Sequence, residues 1–179
     1  METSQNNVKE SVKYPYLPEG CFIESVPLSN NLMSKAKEEA KKSNDQQQPT
    51  GAVIVCDGKI ISEKSNKNPL SSSWMIKLHK KYCIRHLLHI PTGEKYWACP
   101  GCATNESHAE SRAVLDIQKR NIKDINNPEL YLWGHWWCCK PCWDKMLGIG
   151  IKKVYLVDDS EILFNPRNPK NILGHQFDK

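Results

Sequence analysis

Hydrophobic residues form short continuous runs in some parts of the chain and recur at helical spacing in others. The runs predict β-strands, and the helical spacing predicts α-helices. The continuous apolar run over 51–56 predicts a buried strand. Asp57 and Gly58 form a tight-turn signal, so the stretch over 59–65 is predicted to return as the second strand of a hairpin. Two shorter apolar runs predict further strands at 130–133 and 153–157.

Apolar residues at helical spacing predict four helices. Ser29 or Asn30 is expected to cap the first helix, which continues to Ala40. The other helices are expected over 74–88, from about 108 to 119, and from 141 to about 147. The resulting order of helix, hairpin, helix, helix, strand, helix and strand predicts an α/β fold, in which helices pack on an at least partly parallel sheet.

These elements divide the chain into one domain with two flanking segments. A length of 179 residues suits a single compact domain. Residues 1–28 are predicted to form an N-terminal arm, because Pro15 and Pro18 interrupt a stretch without periodicity. The domain is assigned to residues 29–160. Residues 161–179 are assigned to a C-terminal tail, which has two prolines and no strong pattern.

Composition narrows the class of partner. The formal net charge is +5 with the basic residues spread along the chain, which favours small anionic ligands such as nucleotides over duplex DNA. Neither an apolar run of membrane-spanning length nor a signal peptide is visible, so a cytoplasmic protein without membrane contact is expected. In such a reducing compartment, the eight cysteines indicate metal ligands or catalytic groups rather than disulfides.

The residues that carry chemistry form a motif in two parts. His108, Ala109 and Glu110 come first, and Cys139 and Cys142 follow about thirty positions later. A His-x-Glu sequence followed by a cysteine pair of this spacing is the signature of zinc deaminases. His108 and the two cysteines would hold the metal and leave its fourth position to water, whereas Glu110 would act as the proton shuttle.

This motif and its surroundings resemble the cytidine and deoxycytidylate deaminase superfamily over about 51–157. The hairpin that starts at Gly51 resembles the family's first hairpin, and Asn66 and Pro69 resemble the Asn and Pro that follow it. The resemblance implies a three-layer fold with a mixed five-stranded sheet between helices, a catalytic zinc, and assembly as a homo-oligomer. It also implies that Asn66 contacts the nucleotide.

Cys83, residues 90–93 and Cys99 resemble a deoxycytidylate deaminase subgroup. The resemblance implies hydrolysis of dCMP to dUMP, in which zinc-bound hydroxide attacks carbon 4 of cytosine and Glu110 transfers the protons. One alternative is a deaminase of another nucleoside, base or RNA base. The other is a non-catalytic zinc-binding module that uses both cysteine pairs for one structural metal, without an open coordination site.

One departure from the family pattern leaves two candidates for one of the zinc ligands. The family has proline directly before the first zinc cysteine, whereas this chain has Cys138 there and Pro141 before the second cysteine. Cys138 could therefore replace Cys139 as a ligand. The two-residue spacing to Cys142 favours Cys139.

A second cysteine pair, Cys99 and Cys102, also has metal-ligand spacing. Together with Cys83 and one histidine it would make a closed structural zinc site, which the resemblance to the deoxycytidylate subgroup also supports. His86 lies nearest to Cys83 and is the predicted fourth ligand. Two other histidines remain candidates for the fourth ligand, namely His79 and His89. The alternative is a core Cys83 and two free thiols in a loop.

A nucleotide also needs partners for its base and its phosphate. Arg85 is the predicted phosphate ligand, Trp137 is predicted to stack on the base, and Ala109 is predicted to contact the substrate. His135 is interpreted as a structural histidine. Further phosphate candidates are Arg112, Lys64 and Lys67, and the other tryptophans around the cysteine pair are Trp133, Trp136 and Trp143.

Overall fold

Five strands form one sheet in the structure, a computed structural model that describes residues 13–45, 47–90, 95–102 and 104–178. The strands are β1 (Phe22–Val26), β2 (Gly51–Cys56), β3 (Lys59–Ser65), β4 (Glu129–Trp133) and β5 (Lys153–Val157). Their spatial order is β1-β5-β4-β2-β3. β5 pairs in parallel with β1 and β4, whereas β2 pairs in antiparallel orientation with β4 and β3. The mixed five-stranded sheet is therefore confirmed.

Six α-helices occur in the described residues. They are α1 (Asn31–Ala40), α2 (Ser73–Lys81), α3 (Ile84–Leu87), α4 (Ala109–Lys119), α5 (Lys140–Leu147) and α6 (Ser160–Phe164). Asn30 caps α1, because its side-chain oxygen accepts the backbone N–H of Leu32 at 2.9 Å and of Met33 at 3.2 Å. Of the two caps considered from the sequence, Asn30 is the one that forms.

Alternate side chains of β2 enter two separate cores. Ala52 and Ile54 pack with residues of α4 and α5, whereas Val53 and Val55 pack with residues of α1. Because side chains of a strand point alternately to opposite faces, a strand that is apolar at every position needs cover on both sides. Helices lie on both faces of the sheet, so the three-layer α/β/α arrangement is also confirmed.

The structure corrects the end of the N-terminal arm predicted for residues 1–28, because Phe22–Val26 is a strand that pairs with β5. β1 lies at the edge of the sheet, where only Ile23 and Val26 are half-buried and its other residues are exposed. A short edge strand of this kind carries almost no hydrophobic periodicity, which is why the pattern did not reveal it. Residues 1–12 lie outside the described residues.

The C-terminal segment packs on the sheet and does not form the separate tail predicted for 161–179. Phe164, the last residue of α6, is fully buried, with its ring 5.1 Å from the ring of Trp133 between centroids. The ring of Phe177 stacks on Trp133, also at 5.1 Å. These two contacts attach the segment to the α1 side of the sheet. Contacts between distant residues leave no periodic signal in a short segment, so the sequence did not show them.

The single helix predicted over 74–88 is two helices. α2 ends at Lys81, Tyr82 has a φ of −130° and a ψ of 50°, and Cys83 caps α3. This bend turns α3 away from the direction of α2. The loop predicted over 90–93 lies outside the described residues apart from Ile90. None of the helices in the described ranges is both long and apolar enough to cross a lipid bilayer.

Candidate active site and a second metal-ligand cluster

The ligands of the predicted zinc motif lie where two neighbouring helices begin. His108 immediately precedes α4 as its N-cap residue, and Cys139 holds the same position before α5. Residues of both helices share one core on the same face of the sheet. Because Cys142 lies in the first turn of α5, the two helix starts bring the three side chains together.

The turn between β4 and α5 depends on a glycine. Gly134 has a φ of 96°, which residues with a side chain rarely adopt. A Cβ atom at this position would also overlap the carbonyl oxygen of Pro49. Gly134 therefore lets the chain leave the sheet in close contact with the residues before β2, so that His135 and Cys139 reach the site.

The three ligand atoms have the spacing that one zinc ion requires. Nδ1 of His108 lies 3.5 Å from Sγ of Cys139 and 3.5 Å from Sγ of Cys142. Tetrahedral zinc, with bonds of about 2.0–2.1 Å to nitrogen and about 2.3 Å to sulfur, would separate such atoms by about 3.6 Å. The residues therefore fit the metal, and three protein ligands leave one coordination position open.

Cys138, the alternative ligand, does not join this cluster. The cluster found among the described residues consists of His108, Cys139 and Cys142. The Cys138 side chain is fully buried and hydrogen-bonds to the carboxyl group of Glu110. Burial raises the pKa of the Cys138 thiol, which keeps it protonated as a donor. The geometry therefore favours Cys139 as the ligand.

Glu110 lies beside the cluster without belonging to it. Its side chain is buried, and burial raises the pKa of its carboxyl group. Cys139 shifts in the opposite direction, because its hydrogen bond with Cys142 lowers its pKa to about 5 and favours the thiolate. A carboxyl group at the cavity wall, close to the ligands and shielded from bulk water, is placed for proton transfer.

A cavity of about 240 Å³ opens beside the cluster. Its wall is formed by Asp45, Gln48, Thr50, Asn66, His108, Ala109, Glu110, His135, Trp137 and Cys139. Asn66, Ala109 and Trp137 are thus three predicted substrate contacts that the structure brings to one cavity. The fourth, Arg85, is not part of this wall.

Asn66 holds the cavity wall together through its side-chain amide. Its Oδ1 atom accepts the backbone N–H of Thr50 at 2.9 Å and the hydroxyl of Ser43 at 2.6 Å. Its Nδ2 atom donates to the carbonyl of Gln48 at 3.0 Å. These three bonds connect the loop before β2 to the end of β3, so Asn66 shapes the cavity as well as lining it.

His135 is a functional candidate that the sequence interpretation treated as structural. Its Nδ1 atom accepts the backbone N–H groups of Trp136 at 3.0 Å and Trp137 at 3.3 Å. Burial and the neighbouring His108 lower its pKa to about 3, so its ring is neutral at pH 7. The proton of this neutral ring therefore lies on Nε2 and makes it a donor. The role depends on the turn after Gly134, and no spacing rule in the sequence points to it.

Three of the candidate phosphate ligands lie outside the wall of the 240 Å³ cavity. Nη1 of Arg112 donates to the carbonyl of Ser65 at 2.9 Å. Nζ of Lys64 forms an ion pair with the carboxylate of Asp116 at 3.0 Å. Lys67 is exposed and does not line the 240 Å³ cavity. None of these three side chains lines the 240 Å³ cavity.

A second cluster of ligand atoms is formed by His79, Cys83, Cys99 and Cys102. Sγ of Cys102 lies 3.5 Å from Sγ of Cys83 and 3.5 Å from Nε2 of His79. Tetrahedral zinc would separate these atoms by about 3.6–3.8 Å. Four protein ligands at this spacing fit a closed structural zinc site.

The histidine of the second cluster is His79, which corrects the choice of His86. His79 lies in the last turn of α2, and Cys83 follows the bend at Tyr82 that ends this helix, which leaves the two side chains in one cluster. His86 lies on α3, beyond the bend at Tyr82, and its side chain lines an adjoining cavity. Gly101 packs so closely on the His79 ring that a Cβ atom there would overlap it.

Arg85 belongs to this second cluster. The residue is only 6% exposed, and its Nη1 atom lies 3.8 Å from Sγ of Cys102. Three thiolates and one divalent zinc ion leave a net charge of −1, which an adjacent buried guanidinium offsets. Arg85 is therefore an outer partner of the second cluster, and the prediction that it contacts the substrate phosphate finds no support in its position.

The family model of the cytidine and deoxycytidylate deaminase zinc-binding region matches residues 28–158. The chain belongs to this family. The match includes both parts of the motif, so zinc is the cofactor, and His108, Cys139 and Cys142 are the ligand set that the geometry offers it. A search of curated proteins finds no match to this family member.

Several solved structures are similar to this cytidine and deoxycytidylate deaminase family member. A dCMP deaminase from the cyanophage S-TIM5 is 23% identical over 72% of this chain and 82% of that chain, with a TM-score of 0.42. A diaminohydroxyphosphoribosylaminopyrimidine deaminase/5-amino-6-(5-phosphoribosylamino)uracil reductase from Thermotoga maritima is 23% identical. The alignment covers 72% of this chain and 29% of that chain, with a TM-score of 0.41. A guanine deaminase from Bacillus subtilis is 20% identical over 70% of this chain and 60% of that chain, with a TM-score of 0.39.

Proposed function

We propose that the chain hydrolyses the exocyclic amine of a cytosine nucleotide, and that its substrate is dCMP, which becomes dUMP and ammonia. The observation that supports the proposal is the position of Glu110, whose buried carboxyl group lines the same cavity as His108 and Cys139. A three-ligand metal centre, an adjacent carboxyl group and a cavity for a flat ring are together what hydrolytic deamination of a base requires.

Protons are transferred by Glu110. His108, Cys139 and Cys142 would hold the zinc ion, which would supply the Lewis acidity that activates a water molecule at neutral pH. Glu110 accepts a proton from this water and gives it to N3 of cytosine as the water oxygen bonds to C4. Glu110 then passes the remaining hydroxyl proton to the exocyclic amine, the C4–N bond breaks, and ammonia leaves. One water is consumed, and the base becomes uracil.

The remaining cavity wall orients the base. His135 provides a neutral Nε2–H donor, which suits a ring carbonyl oxygen such as that of cytosine. Trp137 provides an aromatic surface on which a base can stack. Asn66 keeps the adjacent loop in place through its bonds to Gln48 and Thr50. A base held in this way presents C4 to the metal centre and N3 to Glu110.

A non-catalytic module that shares one metal between two cysteine pairs disagrees with the structure. Cys99 and Cys102 join one ligand cluster, whereas Cys139 and Cys142 join another. Cys139 lines the 240 Å³ cavity together with the buried carboxyl group of Glu110. The two pairs therefore have separate roles, and one of them has the features of a catalytic centre.

Ammonia release from a panel of compounds tests the proposal. Purified protein of known zinc content would be incubated with cytosine, cytidine, deoxycytidine, CMP and dCMP, with guanine as the control base. We expect turnover of dCMP and none of guanine. Turnover of guanine in preference to the cytosine compounds would overturn the proposal, as would a zinc-loaded protein that releases ammonia from none of them.

A further inference from the structure

The catalytic cavity provides no cation for a phosphate group. The titratable residues in its wall include Asp45 and Glu110, and no lysine or arginine of the described part of the chain contributes to it. A wall without a lysine or arginine offers a phosphate no charge-assisted contact. If a nucleotide places its base here, its phosphate must therefore lie in an adjoining space.

Two larger cavities adjoin the catalytic one. A cavity of about 360 Å³ shares Gln48, His135 and Trp137 with it, and a cavity of about 750 Å³ shares Asp45, Gln48 and His108. Shared wall residues mean that a substrate with its base near His108 can extend into either one. The charges of the two cavities distinguish them.

The 750 Å³ cavity is unsuited to a phosphate. Asp45 lies in its wall, and so do Cys83 and Cys102, two thiol ligands of the second cluster. Arg85 is already placed against Cys102, where it offsets the negative charge of a three-thiolate zinc site. Lys77 lies in this wall as well, so the wall offers a phosphate a lysine only together with the carboxyl group of Asp45.

The 360 Å³ cavity has the opposite character. Arg167 lies in its wall, and none of the wall residues is acidic in the part of the chain that the structure describes. The remaining wall is mainly aromatic and includes Tyr14, Trp136 and Trp137. The Arg167 side chain is exposed, so its guanidinium is accessible to a phosphate that enters this cavity. A guanidinium can also bind two phosphate oxygens at once.

The segment that carries Arg167 is fixed to the core. Phe164 is fully buried against Trp133, three residues before Arg167. The backbone N–H of Arg167 donates to Oδ1 of Asn165 at 2.9 Å, and the backbone N–H of Asn168 donates to the carbonyl of Asn165 at 2.9 Å. These bonds hold a turn at Pro166, so the position of Arg167 beside the catalytic cavity is defined by packing.

We propose that the 360 Å³ cavity is the sugar-phosphate subsite and that Arg167 binds the substrate phosphate, which makes a nucleotide the substrate rather than a nucleoside. The inference rests on the proposed function and names the residue that sets its specificity. Arg167 takes the role predicted for Arg85, because Arg85 lies against Cys102 and Arg167 lines the 360 Å³ cavity.

Steady-state kinetics of Arg167→Ala test this assignment. We expect kcat/KM for dCMP to fall roughly 10- to 100-fold, mainly through KM, since one charge-assisted contact is lost in the ground and transition states alike. The value for deoxycytidine should not change. Arg167→Lys should recover part of the loss. Lys170→Ala removes an exposed cation of the same segment, and this control should behave as the wild type.

Binding of the product separates failure of this inference from failure of the proposed function. Calorimetry would compare dUMP with deoxyuridine on the zinc-loaded wild type and Arg167→Ala. Binding of dUMP that depends on Arg167 supports the subsite even if no cytosine compound is turned over. The inference is overturned if Arg167→Ala binds dUMP, or turns over dCMP, as well as the wild type does.

Discussion

The two metal-ligand clusters use the same kinds of side chain but differ in what surrounds them. His108, Cys139 and Cys142 leave one coordination position open toward a cavity that Glu110 also lines. The other cluster has four protein ligands, and its charged neighbour within hydrogen-bonding reach is Arg85. Cysteine and histidine ligands alone therefore do not distinguish a catalytic metal from a structural one.

Ligand number and the neighbouring charge make that distinction. A three-ligand site beside a buried acid can transfer protons at the metal. A four-ligand site has no open coordination position, and a buried cation beside it neutralises its negative charge. The second cluster also joins α2 and α3 to the loop that leads to His108, since Cys102 precedes it closely in sequence. A metal ion bound by the second cluster would connect these segments to one another.

Removing one ligand from each cluster should produce the largest effects. Cys142→Ser should release about one zinc per chain and abolish ammonia production, because two remaining ligands cannot retain the catalytic metal. Cys99→Ser should also release about one zinc per chain, yet it leaves the catalytic ligands in place, so turnover should persist. Metal analysis and ammonia release on the same samples check both. A folded Cys99→Ser protein without turnover would contradict the separation of the two sites.

Replacing the neighbouring acid should affect rate without affecting metal content. Glu110→Gln keeps the shape of the side chain but removes the proton shuttle, and kcat should fall by about 10²- to 10⁴-fold. Zinc content should equal that of the wild type, since Glu110 is not a ligand. Glu106→Gln, which changes an exposed acid nearby, is the matched control and should leave kcat unchanged. A normal rate in Glu110→Gln would refute the proposed mechanism.

The second cluster can be disturbed without changing any of its ligands. Gly101→Ala places a Cβ atom against the ring of His79 and should move this ligand from Cys102. We expect partial loss of the second zinc and a lower midpoint of thermal unfolding, with the catalytic zinc retained. Gly148→Ala is the control, because the added Cβ makes a tight contact of 3.3 Å with the carbonyl oxygen of Lys145 but does not overlap it, and meets no ligand of the second cluster. Full zinc content in Gly101→Ala would argue against His79 as a ligand.

Short-range patterns carried most of what the sequence could predict. β2 is apolar at every position because both of its faces are covered, and the turn at Asp57 and Gly58 determines the hairpin. His108, Glu110 and the pair that ends at Cys142 were recognisable because their chemistry requires particular residue types at short spacing. The hairpin turn and each part of the motif consist of residues a few positions apart, where sequence spacing and spatial distance agree.

Features that depend on a bend or on distant contacts were missed. The bend at Tyr82 decides that His79, not His86, joins the second cluster, and it also leads Arg85 to Cys102. Sequence proximity had favoured the opposite choice in both cases. Arg167 lies in a segment without periodicity, and the packing of Phe164 on the sheet brings it to the cavity that adjoins the 240 Å³ one.

The smallest expected effect concerns the contacts that hold each site in shape. Hydrogen bonds do this at the catalytic cavity, whereas metal ligands do it at the other cluster. Asn66→Ala removes three hydrogen bonds, and the loss of these bonds should lower the free energy of unfolding by about 1–3 kcal/mol. Asn68→Ala is the matched control, since its side chain accepts one bond, from the N–H of Leu70 at 2.9 Å. Denaturant unfolding measures both. Zinc content should not change in either variant. An Asn66→Ala protein as stable as Asn68→Ala would show that the cavity wall does not depend on this amide.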